Sequence, residues 1–226
     1  MRVALYYAPL PNDPLTSLSA SWLGRDPITS APIPQPKITN IAEITKEPRN
    51  YGFHATLKPP MRLTSGTDWN DFQNAVQTTA ATIAPFDLPP LAVTDLRGFL
   101  ALRETAPCPP LQALADACVE QLDAFREPPS DEELTRRRKA NLSPEQDAML
   151  TRWGYPYVFG TWFFHMTLTR RLSDAEKSTI LPAAEAWFAP ALAIPRRVED
   201  ICIFTQSTPT AAFTLSQRIK LLRLAP

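Results

Sequence analysis

The chain holds two histidines, and each stands in the same local pattern: His54-Ala55-Thr56-Leu57 and His165-Met166-Thr167-Leu168. An imidazole titrates near neutral pH. One copy can therefore take a proton from an attacking water or hydroxyl while the other gives a proton to a leaving oxygen. A threonine hydroxyl two residues on can donate a hydrogen bond to a non-bridging phosphoryl oxygen, where negative charge must be held. The chemistry open to such a set is hydrolysis or transfer at a phosphoester by general acid and base, and it needs no metal or cofactor. Each proton transfer contributes roughly 10²–10⁴ in rate.

The residues around each motif alternate as a strand does, with successive side chains on opposite faces. Phe53, Ala55 and Leu57 share one face, and His54, Thr56 and Lys58 the other. In the second copy Phe164, Met166 and Leu168 oppose His165, Thr167 and Thr169. Each strand thus buries an apolar face and presents an imidazole beside a hydroxyl. Lys58 is expected to add positive charge to the first polar face. His54 and His165 are the candidate catalytic residues; Thr56, Thr167 and Lys58 are the candidate substrate ligands. One His-x-Thr on a strand is more often a surface pair than a site. Two copies that hold every histidine of the chain reverse that judgement. A zinc site would need further ligands, and no acidic residue lies at strand or helix spacing beside either histidine.

The elements that must position these strands can be read from periodicity and caps. Strands are expected at 2–8, 52–58, 91–103 with Gly98 as a bulge, 162–169, 198–206 and 211–223. Residues 9–48 look irregular, with a short helical turn around Leu15–Leu23. Helices are expected from Thr67-Asp68 and over 110–125. Another starts at Ser143-Pro144-Glu145-Gln146 and ends near Gly154, and a last one starts at the capping box Ser173-Asp174-Ala175-Glu176. That last helix meets Pro182, where it should kink or break. The charged stretch 127–142 holds Arg136, Arg137, Arg138 and Lys139; it reads as a solvated helix face that can lie near the cleft mouth.

Each motif is followed by a helix, a Pro-rich turn and a strand, so the chain reads as one internal duplication. The fold expected is α+β: one bilobal domain over 1–226, with repeats near 50–104 and 160–224. Each lobe is an antiparallel sheet with outer helices, and the two polar faces line a central cleft.

Composition sets the remaining bounds. Hydrophobic content of 44% with 20% charged residues fits a globular chain. Lys+Arg and Asp+Glu both number 23, so no net positive field favours a long nucleic acid or an anionic membrane. A small phosphodiester is the expected partner, and the sequence leaves the oligomeric state open. Cys108, Cys118 and Cys202 have neither disulfide nor metal spacing. With no signal peptide and no membrane-length apolar run, a cytoplasmic protein is the expectation. Six glycines form no phosphate-cradling loop.

The paired His-x-Thr motifs resemble those of the 2H (two-histidine) phosphoesterases, which include cyclic nucleotide phosphodiesterases and the enzymes called RNA 2′,5′-ligases. Tyr6-Tyr7-Ala8-Pro9, Trp22-Leu23-Gly24-Arg25-Asp26, Tyr51-Gly52-Phe53-His54-Ala55-Thr56-Leu57-Lys58, Arg152-Trp153-Gly154-Tyr155-Pro156-Tyr157 and Phe164-His165-Met166-Thr167-Leu168-Thr169 resemble one branch in particular. That branch is encoded in bacterial phosphonate-utilisation gene clusters. The resemblance implies a bilobal fold, the two histidines as acid and base, and Thr56 and Thr167 as phosphate ligands. It implies a cyclic phosphodiester substrate such as a ribosyl 1,2-cyclic phosphate. Two other readings stay open: an RNA-end or nucleoside 2′,3′-cyclic phosphodiesterase or ligase, and a non-catalytic module that binds a phosphorylated metabolite. Which histidine is acid and which is base is undecided at this point.

Overall fold

A computed structural model describes residues 1–222; the last positions of the expected strand 211–223 and repeat 160–224 lie outside them. The first half runs β1 (Arg2–Tyr7), α1 (Pro14–Leu23), α2 (Ile41–Ile44), α3 (Lys46–Arg49), β2 (Ala55–Met61), α4 (Trp69–Ala81), β3 (Phe86–Leu88), β4 (Leu91–Asp95) and β5 (Leu100–Glu104). The second runs α5 (Pro109–Gln121), α6 (Asp131–Arg138), α7 (Pro144–Trp153), β6 (Met166–Thr167), α8 (Asp174–Leu192), β7 (Arg196–Val198), β8 (Asp200–Gln206) and β9 (Thr214–Lys220). The fold is α+β, and every strand pairing is antiparallel.

The helix signals read from the sequence act where they stand. The Asp68 carboxylate caps α4 by accepting from the Asn70 N–H. Ser143 and Gln146 cap α7 reciprocally with Pro144 at the first helical position, and Gly154 ends the helix at φ 72°. Ser173 and Glu176 do the same for α8. That helix neither stops nor splits at Pro182: it runs nineteen residues through Pro182 and Pro190. Ile180, Ala184, Phe188 and Ala191 form a buried stripe along it, and that burial outweighs the donors the prolines lack.

Two readings of local structure need correction. Gly98 is not a bulge inside one strand. It sits in a hairpin turn between β4 and β5, at φ 104°, where its N–H donates to Asp95 Oδ1. The second motif strand is also shorter than expected, pairing with β5 only through Ala101–Thr167 and Leu102–Met166. Beyond that point the Leu100 carbonyl accepts from the Leu168 N–H at 2.9 Å, and the Leu100 N–H donates to the Thr169 hydroxyl at 3.0 Å, so a side chain takes the place of one ladder acceptor.

The sheets show how the repeats are assembled. Among the described residues, the two that carry the motifs have the orders β2-β1-β8-β9 and β4-β5-β6, and β3 pairs with β7 in a third, two-stranded sheet. The hairpin β4–β5, which follows the first motif in the chain, pairs with the second motif. The strands β8 and β9, which follow the second motif, join the sheet of the first. The expected repeats 50–104 and 160–224 are therefore not two self-contained lobes. Each of the two motif-bearing sheets takes its motif strand from one half and its supporting hairpin from the other. One cluster of buried side chains runs through both sheets, including Leu5, Tyr7, Ala55, Leu57, Leu102, Met166 and Ile203. The opposite face of the first sheet carries a smaller cluster of Ala4, Tyr6, Ala8, Cys202, Phe204 and Phe213. Helix α5 packs on β2, α4 on β8 and β9, and α8 on β4 and α1.

Candidate active site

Both motif histidines stand at the entrance of their strands. In each, Nδ1 faces the backbone carbonyl two residues back: His54 that of Gly52 at 2.9 Å, His165 that of Phe163 at 3.2 Å. A carbonyl only accepts, so Nδ1 carries the proton and Nε2 is left for chemistry. The same local turn thus sets the same tautomer twice.

The histidines and threonines pair across the two motifs. His54 and Thr167 line one recess of about 170 Å³, together with Glu47, Tyr51 and Thr169. Thr56 and His165 line a second of about 810 Å³. Each imidazole therefore shares a recess with the hydroxyl from the other motif. Thr56 Oγ1 also lies 3.4 Å from His54 Nε2, at the long limit of a hydrogen bond. The indole N–H of Trp162 donates to the Thr56 carbonyl at 2.8 Å, tying the second motif's approach segment to the first motif's strand. Trp22 Nε1–H donates to the Leu168 carbonyl at 3.0 Å and ties α1 to the second motif.

Aromatic rings hold both imidazoles. Tyr6, wholly buried, stacks on His54 with centroids 3.7 Å apart and planes at 22°. Phe163 stacks on His165 at 4.7 Å and 27°. Burial pushes the His54 imidazole down to about 4, the Gly52 carbonyl partly opposes this, and the charge of His165 lowers it further. His165 is lowered too, first by burial and also by the Arg103 guanidinium, against the pull of the Phe163 carbonyl. Burial holds the Tyr6 phenol well above its ordinary value, so it stays neutral beside His54.

Lys58 does not join this set. Its side chain is 2% exposed, and its ammonium donates to the Val119 carbonyl at 3.0 Å and lies 3.6 Å from the Asp123 carboxylate. Two irregularities in the β1–β2 register account for this. Tyr6 pairs with Thr56 but Leu5 with Lys58 and Val3 with Met61, so β2 holds extra residues on both sides of Lys58. A bulge breaks the alternation that the sequence reading extended from His54 through Lys58, and the side chain leaves the polar face for α5.

The cation beside the motifs is instead Arg103, which sequence reasoning missed. Ala101 pairs with Thr167 and Leu102 with Met166, so one step further Arg103 stands opposite His165. Its guanidinium lies 5.5 Å over the Phe163 ring and lines the larger recess with Arg97 and Arg171. Tyr155, Tyr157 and Trp162 wall the same recess. From the charged stretch, Ala140 and Asn141 reach this recess, and the Arg137 guanidinium lies 5.2 Å over the Tyr155 ring. The signal for Arg103 was the strand 91–103 itself; its pairing partner was not visible. Among the described residues no group of three His, Cys, Asp or Glu side chains is placed to hold a metal, and no helix is long and apolar enough to cross a membrane.

Residues 56–214 match a family described as "Protein of unknown function (DUF1045)". The chain is 38% identical over 227 residues to a Janthinobacterium sp. (strain Marseille) protein named ribose 1,5-bisphosphate phosphokinase PhnN; the match covers 96% of this chain and 50% of that protein. A Laribacter hongkongensis (strain HLHK9) protein of the same name is 34% identical over 98% of this chain and 52% of its own length. The chain thus spans about half the length of these curated relatives. Among solved structures it is similar to a phosphoesterase, at 12% identity and TM-score 0.44, over 97% of this chain and 98% of that one. It is also similar to E. coli LigT complexed with NADP+, at 13% identity and TM-score 0.46, over 98% of both chains. Likeness at those scores assigns no role to any residue.

Proposed function

The chain belongs to the DUF1045 family, and from the geometry of its two recesses we propose that it is a metal-independent phosphodiesterase of the two-histidine type that opens a cyclic phosphodiester. The observation that carries this reading is the cross-pairing of His54 with Thr167 and of His165 with Thr56 around neighbouring recesses. A phosphoryl group held between them meets an imidazole Nε2 from each side. The Thr56 and Thr167 hydroxyls and the Arg103 guanidinium face its non-bridging oxygens, where charge must be held. Water attacks as one imidazole takes its proton. The leaving oxygen departs as the other imidazole protonates it.

A ribosyl 1,2-cyclic phosphate is the substrate we favour. The two relatives carry the name of a ribose 1,5-bisphosphate phosphokinase, yet this chain spans only about half of each. Phosphoryl transfer from a nucleotide commonly uses a G-x-x-x-x-G-K-[ST] loop, and this sequence has none. The kinase activity those names record then belongs to the remainder of the relatives, and this segment supplies a separate step on a related ribosyl phosphate. A nucleoside 2′,3′-cyclic phosphate or an RNA end is the second reading, favoured by Tyr155, Tyr157 and Trp162, whose rings can stack on a base.

The test is a panel of ribosyl 1,2-cyclic and nucleoside 2′,3′-cyclic phosphates, assayed with and without exhaustive chelation. Turnover that survives chelation and falls by at least about a hundredfold in both His54→Ala and His165→Ala, with the fold intact by circular dichroism, is expected. Full turnover in either variant defeats the mechanism. Tight binding across the panel without hydrolysis would make the chain a phosphometabolite-binding module instead.

A further inference from the structure

The Trp22-Leu23-Gly24-Arg25-Asp26 segment lines neither recess, yet it reaches both motifs. We propose that its Arg25 is a positioning residue for His54: the guanidinium fixes the turn whose carbonyl holds His54 Nδ1, and so keeps Nε2 free for chemistry. The effect on turnover rests on the phosphodiesterase reading; the effect on the imidazole does not.

A guanidinium is always charged and is rarely buried without a carboxylate beside it. Arg25 is 8% exposed, and among the described residues it forms no ion pair. Asp26 attracts it, but the Asp26 carboxylate accepts from the Ile28 and Thr29 N–H groups. Arg25 instead donates from Nε to the Arg49 carbonyl at 2.8 Å and from Nη1 to the Ser30 hydroxyl at 3.2 Å. Its Nη2 is buried with no acceptor. Burial of a charge on these terms is costly, and an apolar side chain would fill the same place at less cost.

What the guanidinium adds is a floor under Gly52. Arg49 ends α3, and the chain turns toward β2 through Gly52 at φ 76°, in the left-handed region that favours glycine. A Cβ at position 52 would come within 3.3 Å of Arg25 Nη2, 3.5 Å of the Pro27 Cβ and 3.6 Å of the Phe204 ring. The backbone of Gly52 therefore rests against the guanidinium. Arg49 returns the contact: its Nε donates to the Leu23 carbonyl at 2.6 Å, and its Nη2 donates to oxygens of Gln35, Ala42 and Thr45. Two arginines thus clasp the turn, each donating to a carbonyl of the other's segment. The Gly52 carbonyl held in this way accepts from His54 Nδ1 at 2.9 Å.

An imidazole released from such a partner exchanges between tautomers, and the form protonated at Nε2 cannot take a proton there. The second motif lacks the clasp. His165 Nδ1 faces the Phe163 carbonyl at 3.2 Å, and among the described residues no arginine donates to a carbonyl of residues 161–164. The segment's tie to that motif is the Trp22 indole N–H, which donates to the Leu168 carbonyl beyond the histidine. Loss of the Arg25 guanidinium should therefore disturb His54 and spare His165.

The chain's two histidines give two imidazole patterns in a ¹⁵N-histidine spectrum, assigned with His165→Gln. Wild type, Arg25→Met and Arg25→Lys are compared at pH 8, where both lowered imidazoles are neutral. Wild type should show His54 protonated at Nδ1. Arg25→Met should move the His54 nitrogens toward a mixture of tautomers and leave His165 in place. It should lower kcat on a cyclic phosphodiester about 10- to 100-fold with KM within about threefold. Arg25→Lys, which still offers a donor to the Arg49 carbonyl, should recover part of both. A folded Arg25→Met with His54 unmoved, or with His165 moved as far, overturns the assignment. So does an unchanged kcat where wild type turns over. Should Arg25→Met fail to fold, Arg25→Lys and Ser30→Gly, which removes the Nη1 acceptor, carry the same spectra: a shift confined to His54 supports the clasp, and none in either overturns it. Failure of wild type on the whole cyclic panel removes the phosphodiesterase reading, and the spectra alone then decide the clasp.

Discussion

Replacing Lys58 by methionine tests whether the bulges in β1–β2 set the chemistry of the first motif as described. The ammonium is buried, and burial pushes its pKa from 10.5 down to about 8 although Asp123 pulls it back up. That drop corresponds to about 3 kcal/mol. The unfolded chain therefore binds more protons than the folded one between pH 8 and 10.5, so wild type gains up to about 3 kcal/mol as pH rises through that window. Methionine keeps the stem and removes both charge and titration. It leaves the Val119 carbonyl without its side-chain donor, at about 1–3 kcal/mol, whereas Asp123 keeps Arg126 at 2.7 Å. At pH 7 the relief of the buried charge and the lost hydrogen bond nearly cancel, and Lys58→Met should lie within about 2 kcal/mol of wild type. Urea melts of both proteins from pH 7 to 10.5 should show wild type rising relative to the variant by about 3 kcal/mol. On a cyclic phosphodiester the variant should keep kcat/KM within about threefold, because the ammonium is held away from substrate by α5. Parallel stability curves across that pH range would refute the burial argument. A hundredfold fall in kcat/KM with the fold intact would return Lys58 to the substrate.

Three further outcomes follow from the site. Arg103→Ala should lower kcat/KM roughly 10- to 150-fold, the range of a lost charged hydrogen bond, with part of the loss restored by Arg103→Lys; steady-state kinetics of the pair decides it. Trp162→Phe keeps the ring but removes the donor to the Thr56 carbonyl, and should cost about 1 kcal/mol in a denaturant melt together with about tenfold in kcat/KM, because the strand bearing Thr56 loses its tie to the second motif. His54 is lowered from 6.5 to about 4, so the unfolded chain takes up the extra proton first and stability falls by up to about 3 kcal/mol as pH drops from 6.5 toward 4. His54→Gln should flatten that limb in melts at pH 4 to 7, and an unchanged slope would show that His54 is not buried as described.

The sequence by itself determined the chemistry available and the local elements that carry it. Two histidines, each two residues before a threonine, limit the choice of proton carriers, and those are the residues that line the paired recesses. The caps at Asp68, Ser143 and Ser173 were legible because a cap depends on residues within one helical turn of it. What only the tertiary structure decided is every matter set by distant pairing. The hairpin after the first motif joins the second, and β8 and β9 join the first, because strands choose partners by burial of a shared face and not by nearness in the chain. Arg103 comes opposite His165 through that exchange, and no local pattern announces it. Lys58 was misplaced for a related reason: its register depends on how β1 fits against β2, and one inserted residue moves a side chain from a reactive face into the protein. The α8 helix passes Pro182 for the same kind of cause, since its buried stripe is supplied by the elements it packs on. Residue types named the candidate proton carriers; the pairing of the strands decided which cation stands beside them.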